Sequence, residues 1–433
     1  MILLNLLLSA IVNIERFIAG RITGAPKDKA NISKPIVKIA VTGIVLGLAV
    51  MLLTISIVAG FKKEITRKIT GLTTHIAVSS INMNSGNEPF PIRIHSDTLK
   101  LLQATEGIEH IQLTAFKNAI LKTENENEGI VLKGVDRNYD FSFLKDHLTE
   151  GKLPQFNDTA ASRDILISAA LADKIGLKVK DKMQLYFLVQ TEMSDSASGA
   201  TITKTDQRSR RLQVCGIFKT DFADFDNNLT FVDLQQIQKL NNWDKQTVGN
   251  YEIRLKDFGK LEEVKEKTEE LLGYQYYVRS VKDIYANIFI WLDKLDINGI
   301  IIVVLMIVVA VINMITALLI LILERTNMVG LVKALGMSNF NVRLVFLYVS
   351  VRLIGRGLLW GNIIGIGLVY LQHYFKIMKL DPETYYVSYV VTDINWMYFG
   401  LLNAGTILVC MCMLYFPSLI ITRLTPIKTL RFD

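Results

Sequence analysis

The chain has 433 residues, a mean hydropathy of +0.31 and 50% hydrophobic residues, which is more apolar than an ordinary soluble enzyme. Its 21% of charged residues is too high for a chain that lies entirely within a membrane. The net charge of +7 does not by itself indicate nucleic-acid binding, because Lys and Arg also collect beside membrane spans. The three cysteines form neither a disulfide framework nor a metal-ligand cluster. The composition therefore predicts membrane helices joined to a soluble domain.

The N-terminal segment, 1–34, is predicted to lie at a membrane surface. Its apolar start has 14 residues, too few to span a bilayer, and it lacks the basic beginning of a cleaved signal peptide. Ile14, Phe17, Ile18 and Ile22 then share one face of a helix with interspersed charges. This pattern is typical of an interfacial amphipathic helix.

The first span is predicted at 35–61. Ile39 to Gly60 is a run of 22 residues without a charge. At ~1.5 Å per residue this run reaches ~33 Å, enough to cross a hydrocarbon core of ~30 Å. Gly43 and Gly47 form a GxxxG motif, which lets a neighbouring helix approach closely. The motif serves either helix packing within one subunit or a subunit interface or substrate-facing groove.

Residues 62–286 are predicted to form a soluble α+β domain. Alternating segments such as "HIAVS" and "YEIRL" indicate strands, and "LEEVKEKTEELL" indicates a helix. Asp233 is placed to cap another helix. The polar stretch 190–207 is predicted to be a long flexible loop, either a disordered insertion or a partner-binding loop. Its candidate binding residues are Ser194, Asp195, Ser196 and Gly199.

Three further spans are predicted in the C-terminal part. A connecting helix that begins near Ser280 continues without interruption into a span, so that 287–323 forms one unit. The other spans are 347–373 and 396–421, separated by a loop at 374–395 and followed by a tail at 422–433. Arg352 and Arg356 share a face in the 347–373 span and either reach lipid headgroups or make an ion pair or lipid-phosphate contact within an assembly. The same span repeats the close-packing motif at Gly357, Gly361 and Gly365.

The distribution of basic residues predicts the orientation. Lys and Arg lie before the first span, between the second and third spans, and in the tail. With four spans, these three segments fall on one side, which the positive-inside rule assigns to the cytoplasm. Both termini are therefore predicted to be cytoplasmic. The basic residues just after the first span begin a long domain, and long domains cross the membrane largely regardless of charge.

The segment 324–346, which we call the elbow, joins the second and third spans. Met328, Leu331, Val332 and Leu335 recur with helical spacing on one face. Gly336 is placed to end this helix in a left-handed conformation, and Ser338 is placed to cap the next helix. The sequence therefore predicts a small helix–turn–helix between two membrane spans.

No catalytic motif is found along the sequence. There is no GxxxxGK[ST] nucleotide loop, no HExxH and no GxSxG, and the five histidines are scattered. The chain is therefore predicted to be neither an enzyme nor a metal-binding protein, and to bind no cofactor of its own.

The order of one span, a large outside domain and three further spans resembles the FtsX/MacB-like superfamily of type VII ABC transporter permeases. The elbow carries the resemblance, because "ILERTNMVGLVKALGMSNFNVRLVFL" is similar to the family pattern E-R-x3-G-x2-K-A-L-G-x-S. "ERFIAGRI", "TGLTTHIAV", "LDPETYYVSYVVTDINW" and "LTPIKTLRFD" are similar to segments of the lipoprotein-releasing permeases of the LolC/LolE type. Val349, Ser350 and Arg352 depart from the acidic and glycine-rich start of that family's third span.

The resemblance implies a multi-pass inner-membrane protein with four transmembrane helices and a large α+β periplasmic domain between the first two. It implies a dimer with a second copy or a paralogue, two copies of an ABC ATPase subunit that holds the ATP and Mg, a lipoprotein substrate, a periplasmic lipoprotein carrier and contact with membrane lipid, without nucleic acid. The elbow would press into the ATPase through Met328, Leu331, Val332, Lys333, Leu335, Gly336, Phe340 and Arg343. Otherwise, the elbow's apolar face would lie flat on the bilayer.

The implied cavity for lipoprotein acyl chains has candidates on the first two spans. They are Val45, Leu48, Met51, Leu52, Ile302, Leu305 and Met306. The 190–207 stretch falls where the LolC-type loop that captures the carrier would sit, but it lacks that loop's proline-containing sequence.

Two other functions fit the same superfamily. A MacB-like exporter component would pump periplasmic substrates with an outer-membrane channel, although MacB relatives usually carry a fused ATPase domain. An FtsX-like mechanical regulator would control a cell-wall hydrolase, although the outside domain is large for that role.

Overall fold

The computed structural model describes residues 14–23, 33–82, 88, 90–122, 127–157, 160–194 and 201–418. The chain forms two compact units. The helical unit comprises Met1–Lys62, Leu292–Lys379 and Tyr389–Asp433, and the sheet unit comprises Lys63–Trp291 and Leu380–Ser388. Residues 1–13, Asp195, Ser196, Gly199 and the predicted tail at 422–433 lie outside the described residues.

The helices follow the apolar runs of the sequence. In chain order they are α1 (Ile14–Thr23), α2 (Ser33–Leu72), α3 (Ser96–Ala104), α4 (Ser142–Asp146), α5 (Ala169–Ile175), α6 (Ala223–Asp226), α7 (Leu234–Asn241), α8 (Leu261–Leu272), α9 (Val281–Ile284), α10 (Ala286–Glu324), α11 (Thr326–Ala334), α12 (Asn339–Phe375), α13 (Pro382–Tyr385) and α14 (Trp396–Ser418). Short 3₁₀ turns cover Phe258–Lys260 and Gly273–Gln275. As predicted, Asp233 caps α7, because its carboxylate accepts a hydrogen bond from the amide of Gln235.

The sheet unit is built on one mixed sheet. Its strands are β1 (Ile76–Ser80), β2 (Ile108–Lys122), β3 (Asn127–Val135), β4 (Leu148–Gly151), β5 (Asp164–Ser168), β6 (Lys182–Ser194), β7 (Thr201–Phe218), β8 (Leu229–Asp233), β9 (Asn250–Leu255) and β10 (Tyr276–Ser280). The order across the sheet is β10-β1-β9-β2-β3-β8-β5-β7-β4, and β6 pairs with β2 and β7. Only the β3–β8 and β5–β7 pairs are parallel among the described strands. The predicted α+β class of this unit agrees with the structure.

Among the described residues, three helices are long and apolar enough to cross a membrane, judged by length and composition. They cover Lys38–Leu72, Ala286–Glu324 and Trp396–Leu414. The predicted span at 347–373 lies inside α12, a helix of 37 residues that is not among these three. The total of four spans therefore remains a prediction.

Two helices run differently from what the sequence alone suggested. Helix α2 continues beyond the predicted end of the first span, at 61, to Leu72 within the sheet unit, because Ile65, Ile69 and Leu72 keep a helical period and are fully buried. The predicted continuous helix from Ser280 is wrong. A capping box of Ser280 and Asp283 starts the one-turn helix α9, and Tyr285 leaves the helical region before α10 begins.

The segment between the third and fourth predicted spans also divides differently. Residues Leu380–Ser388 belong to the sheet unit, whereas the residues on either side of them belong to the helical unit. Tyr386 stacks on Phe222 with ring centroids 4.7 Å apart, and the Lys68 ammonium donates a hydrogen bond of 3.1 Å to the carbonyl of Tyr386. These partners are distant in sequence, so no local pattern predicted their contact.

Candidate functional site: the elbow and its supporting helices

The turn of the elbow has the predicted form. Gly336 has a φ of +95°, in the region that favours glycine. The amide of Met337 donates to the carbonyl of Val332 at 3.1 Å, and the amide of Gly336 donates to the carbonyl of Lys333 at 3.0 Å. This pair of bonds is a Schellman motif, which satisfies the last carbonyls of α11. The Ser338 hydroxyl then accepts from the amide of Asn341 and caps α12.

Two faces of the elbow differ in burial, and the face that meets the core of this chain is separate from most of the predicted docking residues. Val329 and Gly330 are the buried residues of α11, and Val329 joins the core that includes Phe346 of α12. Met328 and Val332 are half-buried. The other predicted apolar residues face outward: Leu331, Leu335 and Phe340 are 55%, 80% and 66% exposed.

The elbow also carries two basic side chains that repel each other. Both Lys333 and Arg343 are half-buried. Burial, and secondarily the charge of Arg343, lower the pKa of Lys333. Within the described part of the chain, the Nε atom of Arg343 is buried without a hydrogen-bond partner. An acidic group placed here would relieve the repulsion and supply that partner.

The glycine motifs lie in a helix–helix seam, which we call the glycine seam. A Cβ atom added at Gly357 would lie 2.6 Å from Ile44 Cγ2, and one added at Gly361 would lie 2.9 Å from Leu48 Cδ2. The same atom at Gly365 would lie 2.8 Å from Leu52 Cδ1. A Cβ at Gly43 would lie 2.4 Å from Asn313 Nδ2 of α10, whereas one at Gly47 would only reach the Met306 carbonyl at 3.8 Å. The glycines thus bring α12 and α10 close to α2.

This packing removes part of the predicted acyl-chain cavity. Leu48, Met51 and Leu52 are fully buried and Val45 is 8% exposed, so these four residues do not line an open face of this chain. The physical reason is the glycine seam, which draws α12 against them. On α10, Ile302 and Leu305 are 39% and 53% exposed, whereas Met306 packs against the core.

Arg352 lies beside the N-terminal helix. A Cβ atom added at Gly20 of α1 would be 3.5 Å from Nη1 of Arg352, and Ala19 is buried against the core of the helical unit. The Arg352 cation therefore lies beside the last turns of α1, where the helix dipole favours positive charge. Arg356, one turn further along α12, is exposed.

The stretch predicted as a flexible loop is largely a β-hairpin, so that prediction is wrong. Strands β6 and β7 stay in register from Lys182↔Gln213 to Ser194↔Thr201. The signal was the alternation of β-branched residues in "TITKT", which favours a strand. Of the candidate binding residues, only Ser194 lies within the described residues, at the last pair of the ladder.

Polar contacts that sequence reasoning missed also hold the helices together. The side-chain amides of Asn362 and Asn403 exchange two hydrogen bonds, of 2.7 and 3.0 Å, between α12 and α14. The Lys62 ammonium of α2 pairs with Asp293 at 3.3 Å and with Asp296 of α10. The isolated Asn residues in apolar runs were the sequence signal for the contact between Asn362 and Asn403.

Across the described ranges, no group of three or more His, Cys, Asp or Glu residues could hold a metal ion.

Comparison with known proteins agrees with this architecture. The model of the MacB-like periplasmic core domain matches residues 39–271, which is more than half of the chain. The chain is a MacB/FtsX-like permease. The model of the FtsX-like permease C-terminal region matches residues 300–426 of this permease, which include the elbow.

The permease is also similar to curated relatives over most of its length. It is 23% identical to the lipoprotein-releasing system transmembrane protein LolC of Xylella fastidiosa, over 91% of this chain and 93% of that protein. It is 20% identical to the LolE protein of Haemophilus influenzae, over 86% of this chain and 88% of that protein. The periplasmic region of MacB from Actinobacillus actinomycetemcomitans is 12% identical, with a TM-score of 0.33, and covers 51% of this chain and 95% of its own. The predicted resemblance to LolC/LolE-type permeases is confirmed.

Proposed function

We propose that this permease extracts lipoproteins from the outer leaflet of the inner membrane and passes them to a periplasmic carrier. The energy would come from ATP hydrolysis in a separate subunit. The observation that carries this proposal is the similarity to lipoprotein-releasing LolC over 91% of the chain. With 91% of the chain covered, the similarity includes residues of both the sheet unit and the helical unit, and it covers 93% of that relative.

In the proposed assembly, this chain is a multi-pass inner-membrane subunit with four spans and cytoplasmic termini. The third of these spans in chain order is assigned to α12, whose 37 residues would reach ~55 Å at ~1.5 Å per residue. A second permease copy or a paralogue completes the dimer, and two ATPase subunits bind ATP and Mg on its cytoplasmic side. This chain contributes no nucleotide site.

The elbow is proposed to dock on the ATPase. Three exposed apolar residues flank the hydrogen-bonded turn at Gly336, and the same elbow carries the half-buried cations Lys333 and Arg343. Buried apolar anchors dominate most protein interfaces, and charges at the rim steer association. Leu331, Leu335 and Phe340 are the anchors that this arrangement offers.

The docking proposal is tested by Leu331→Asp together with Leu335→Asp. Both side chains are exposed, so the fold should survive while the ATPase no longer co-purifies with the permease and lipoprotein release falls at least tenfold. Leu101→Asp is the matched control, because Leu101 is 62% exposed on α3 of the sheet unit. If the elbow variant keeps both the ATPase and release, the elbow does not couple the two subunits.

The lipoprotein itself is proposed to contact α10. Ile302 and Leu305 keep exposed apolar side chains, in contrast to the first-span candidates that the glycine seam buries. The β6–β7 hairpin is the proposed contact for the carrier, since Leu188 of β6 is 60% exposed and Ile120 of β2, which pairs with Tyr186 of β6, is 46% exposed.

The function as a whole is tested by depleting the permease in its own cell and separating inner and outer membranes. Acylated lipoproteins destined for the outer membrane should accumulate in the inner membrane. Normal sorting with altered efflux would favour the MacB-like exporter, and normal sorting with altered wall hydrolysis would favour the FtsX-like regulator. Either result would refute lipoprotein release and leave the fold unchanged.

A further inference from the structure

A lysine lies fully buried in the centre of the sheet unit. Lys133 of β3 has 0% of its side chain exposed. Its ammonium donates hydrogen bonds to a carboxylate oxygen of Glu252 at 2.9 Å, to the Tyr139 hydroxyl at 3.3 Å and to the backbone carbonyl of Leu72 at 3.1 Å. An ammonium has three donors, so all of its hydrogen-bonding capacity is used within the protein.

The partner carboxylate is buried as well. Glu252 of β9 has 3% of its side chain exposed and accepts a further hydrogen bond, of 3.0 Å, from the Gln112 amide of β2. Burial by itself would lower the pKa of Lys133, but the Glu252 carboxylate outweighs burial, with help from Tyr139, and raises the pKa above its ordinary value. Lys133, Glu252 and Gln112 therefore form one buried network that joins three neighbouring strands.

A buried ion pair of this kind adds little net stability to a protein core. Removing two charges from water is costly, and well-packed neutral replacements for buried ion pairs are often as stable or more stable. A buried ionic network does, however, fix the geometry of the groups it joins, since each donor and acceptor has only one good arrangement.

The third acceptor of the Lys133 ammonium, the Leu72 carbonyl, lies at the end of helix α2. Leu72 is the last residue of α2, and its carbonyl is one of those that the helix leaves without an internal partner. The end of a helix carries partial negative charge, which favours a cation there. The last turns of α2 are buried in the sheet unit through Ile65 and Ile69, and a Cβ added at Gly71 would lie 2.4 Å from the Phe143 ring.

We propose that Lys133 is the positioning residue that fixes the end of α2 to the sheet through Glu252, so that movement of this helix is transmitted to the sheet. The other end of α2 belongs to the helical unit, so the helix is the continuous element along which ATP-driven movement would travel. The part concerning transport rests on the proposed function, whereas the fixing of the helix end does not.

The test uses the full-length permease with Lys133→Met and Glu252→Gln combined, which removes both charges while keeping similar volumes. The matched control is Lys174→Met with Glu128→Gln, because that pair has the same chemistry at 2.7 Å but lies at the surface, with 54% and 21% of the side chains exposed. Hydrogen exchange measures the amides in the last turn of α2. Thermal unfolding measures stability, and reconstitution with the ATPase measures lipoprotein released per ATP hydrolysed.

We expect the melting temperature of the double variant to lie within a few degrees of that of the wild type. Exchange in the last turn of α2 should rise at least tenfold, and release per ATP should fall at least fivefold, with neither change in the control. Unchanged exchange in that turn would overturn the proposal whatever happens to transport.

Two other outcomes separate this inference from the proposed function. If exchange rises and the wild type releases lipoprotein, but release per ATP by the variant is unchanged, the role of Lys133 in transmission is overturned while the transport function stands. If exchange rises but the wild-type assembly releases no lipoprotein, the fixing of the helix end is supported and the proposed function fails.

Discussion

The glycine seam can be tested by replacing one glycine in it with alanine, and a second glycine on α12 provides the control. Gly357 and Gly367 lie on the same helix. A Cβ added at Gly357 would lie 2.6 Å from Ile44 Cγ2 and 2.8 Å from Ile44 Cβ, whereas a Cβ added at Gly367 would have nothing within 4 Å. Ile44 is 1% exposed, and a β-branched side chain in a helix has one strongly preferred rotamer. It cannot move aside without shifting its helix.

The expected magnitude follows from two opposing terms. Replacing glycine by alanine in a helix stabilises it by about 1 kcal/mol, and this term is common to both positions. Overpacking a close contact costs about 1–3 kcal/mol, and this term applies only to Gly357→Ala. The difference between the two variants therefore isolates the overpacking term. Gly367→Ala should be as stable as the wild type or more stable, and Gly357→Ala should be less stable than Gly367→Ala by about 1–3 kcal/mol.

The assay is thermal unfolding of the purified full-length permease in one fixed detergent or nanodisc, with the three proteins measured side by side. The order of melting temperatures should be Gly367→Ala at or above wild type, with Gly357→Ala lowest. Equal melting temperatures for the two alanine variants would mean that α12 does not press on Ile44, and the account of the glycine seam would be refuted.

Two further predictions concern single contacts. Burial, and secondarily Arg254, lower the pKa of His75 from its ordinary 6.5 to about 4, and the His75 Nδ1 atom accepts a hydrogen bond of 2.8 Å from the amide of Leu255. Between pH 6.5 and 4, His75 therefore binds a proton in the unfolded chain but not in the folded chain, so the free energy of unfolding should fall as the pH drops through this window, by about 3 kcal/mol at its lower end. Denaturant unfolding of wild type and His75→Asn at pH 7.5 and 4.5 checks this, and equal pH dependence in the two proteins would contradict it. The Asn362–Asn403 amide pair should show a coupling energy of about 0.5–1.5 kcal/mol in a double-mutant cycle with leucine at each position, measured by the unfolding of the intact permease, and strictly additive effects would show that the pair contributes nothing.

Local sequence patterns predicted the elbow turn well. Gly336 and Ser338 lie where a helix must stop and another must start, and the structure shows the positive φ and the hydroxyl cap at those positions. The cap by Asp233 is a similar case. These features depend on hydrogen bonds between residues a few positions apart, so the nearby sequence is sufficient to determine them.

The apolar runs likewise determined the three helices that are long and apolar enough to cross a membrane, because the run length must match the hydrocarbon thickness. The apolar runs did not determine where these helices end. Helix α2 runs on to Leu72 because its continuation is amphipathic rather than uniformly apolar, and the partners that bury Ile69 come from elsewhere in the chain. An apolar run predicts which part of a helix can lie in the membrane, but it does not predict where the helix ends.

Which face of a helix is buried was decided by the tertiary structure alone. The spacing of Leu331 and Leu335 on the elbow predicted a shared apolar face, and only the folded chain shows that both are exposed while Val329 meets the core. Likewise, Leu48 and Met51 were cavity candidates until the glycine seam placed α12 over them. In a membrane helix most residues are apolar, so the hydrophobic pattern cannot distinguish a lipid-facing side from a helix-facing side.

The sequence by itself therefore determined the family, the membrane runs and the elbow turn, each of which is recorded in contiguous residues. The tertiary structure alone decided the pairing of the β6–β7 hairpin and the network around Lys133. The ammonium of Lys133 meets Leu72 and Glu252, which lie 61 and 119 positions away along the chain. A lysine in a strand ordinarily indicates a solvated position, and only the folded chain supplies the buried carboxylate and the helix-end carbonyl that keep its charge inside the protein.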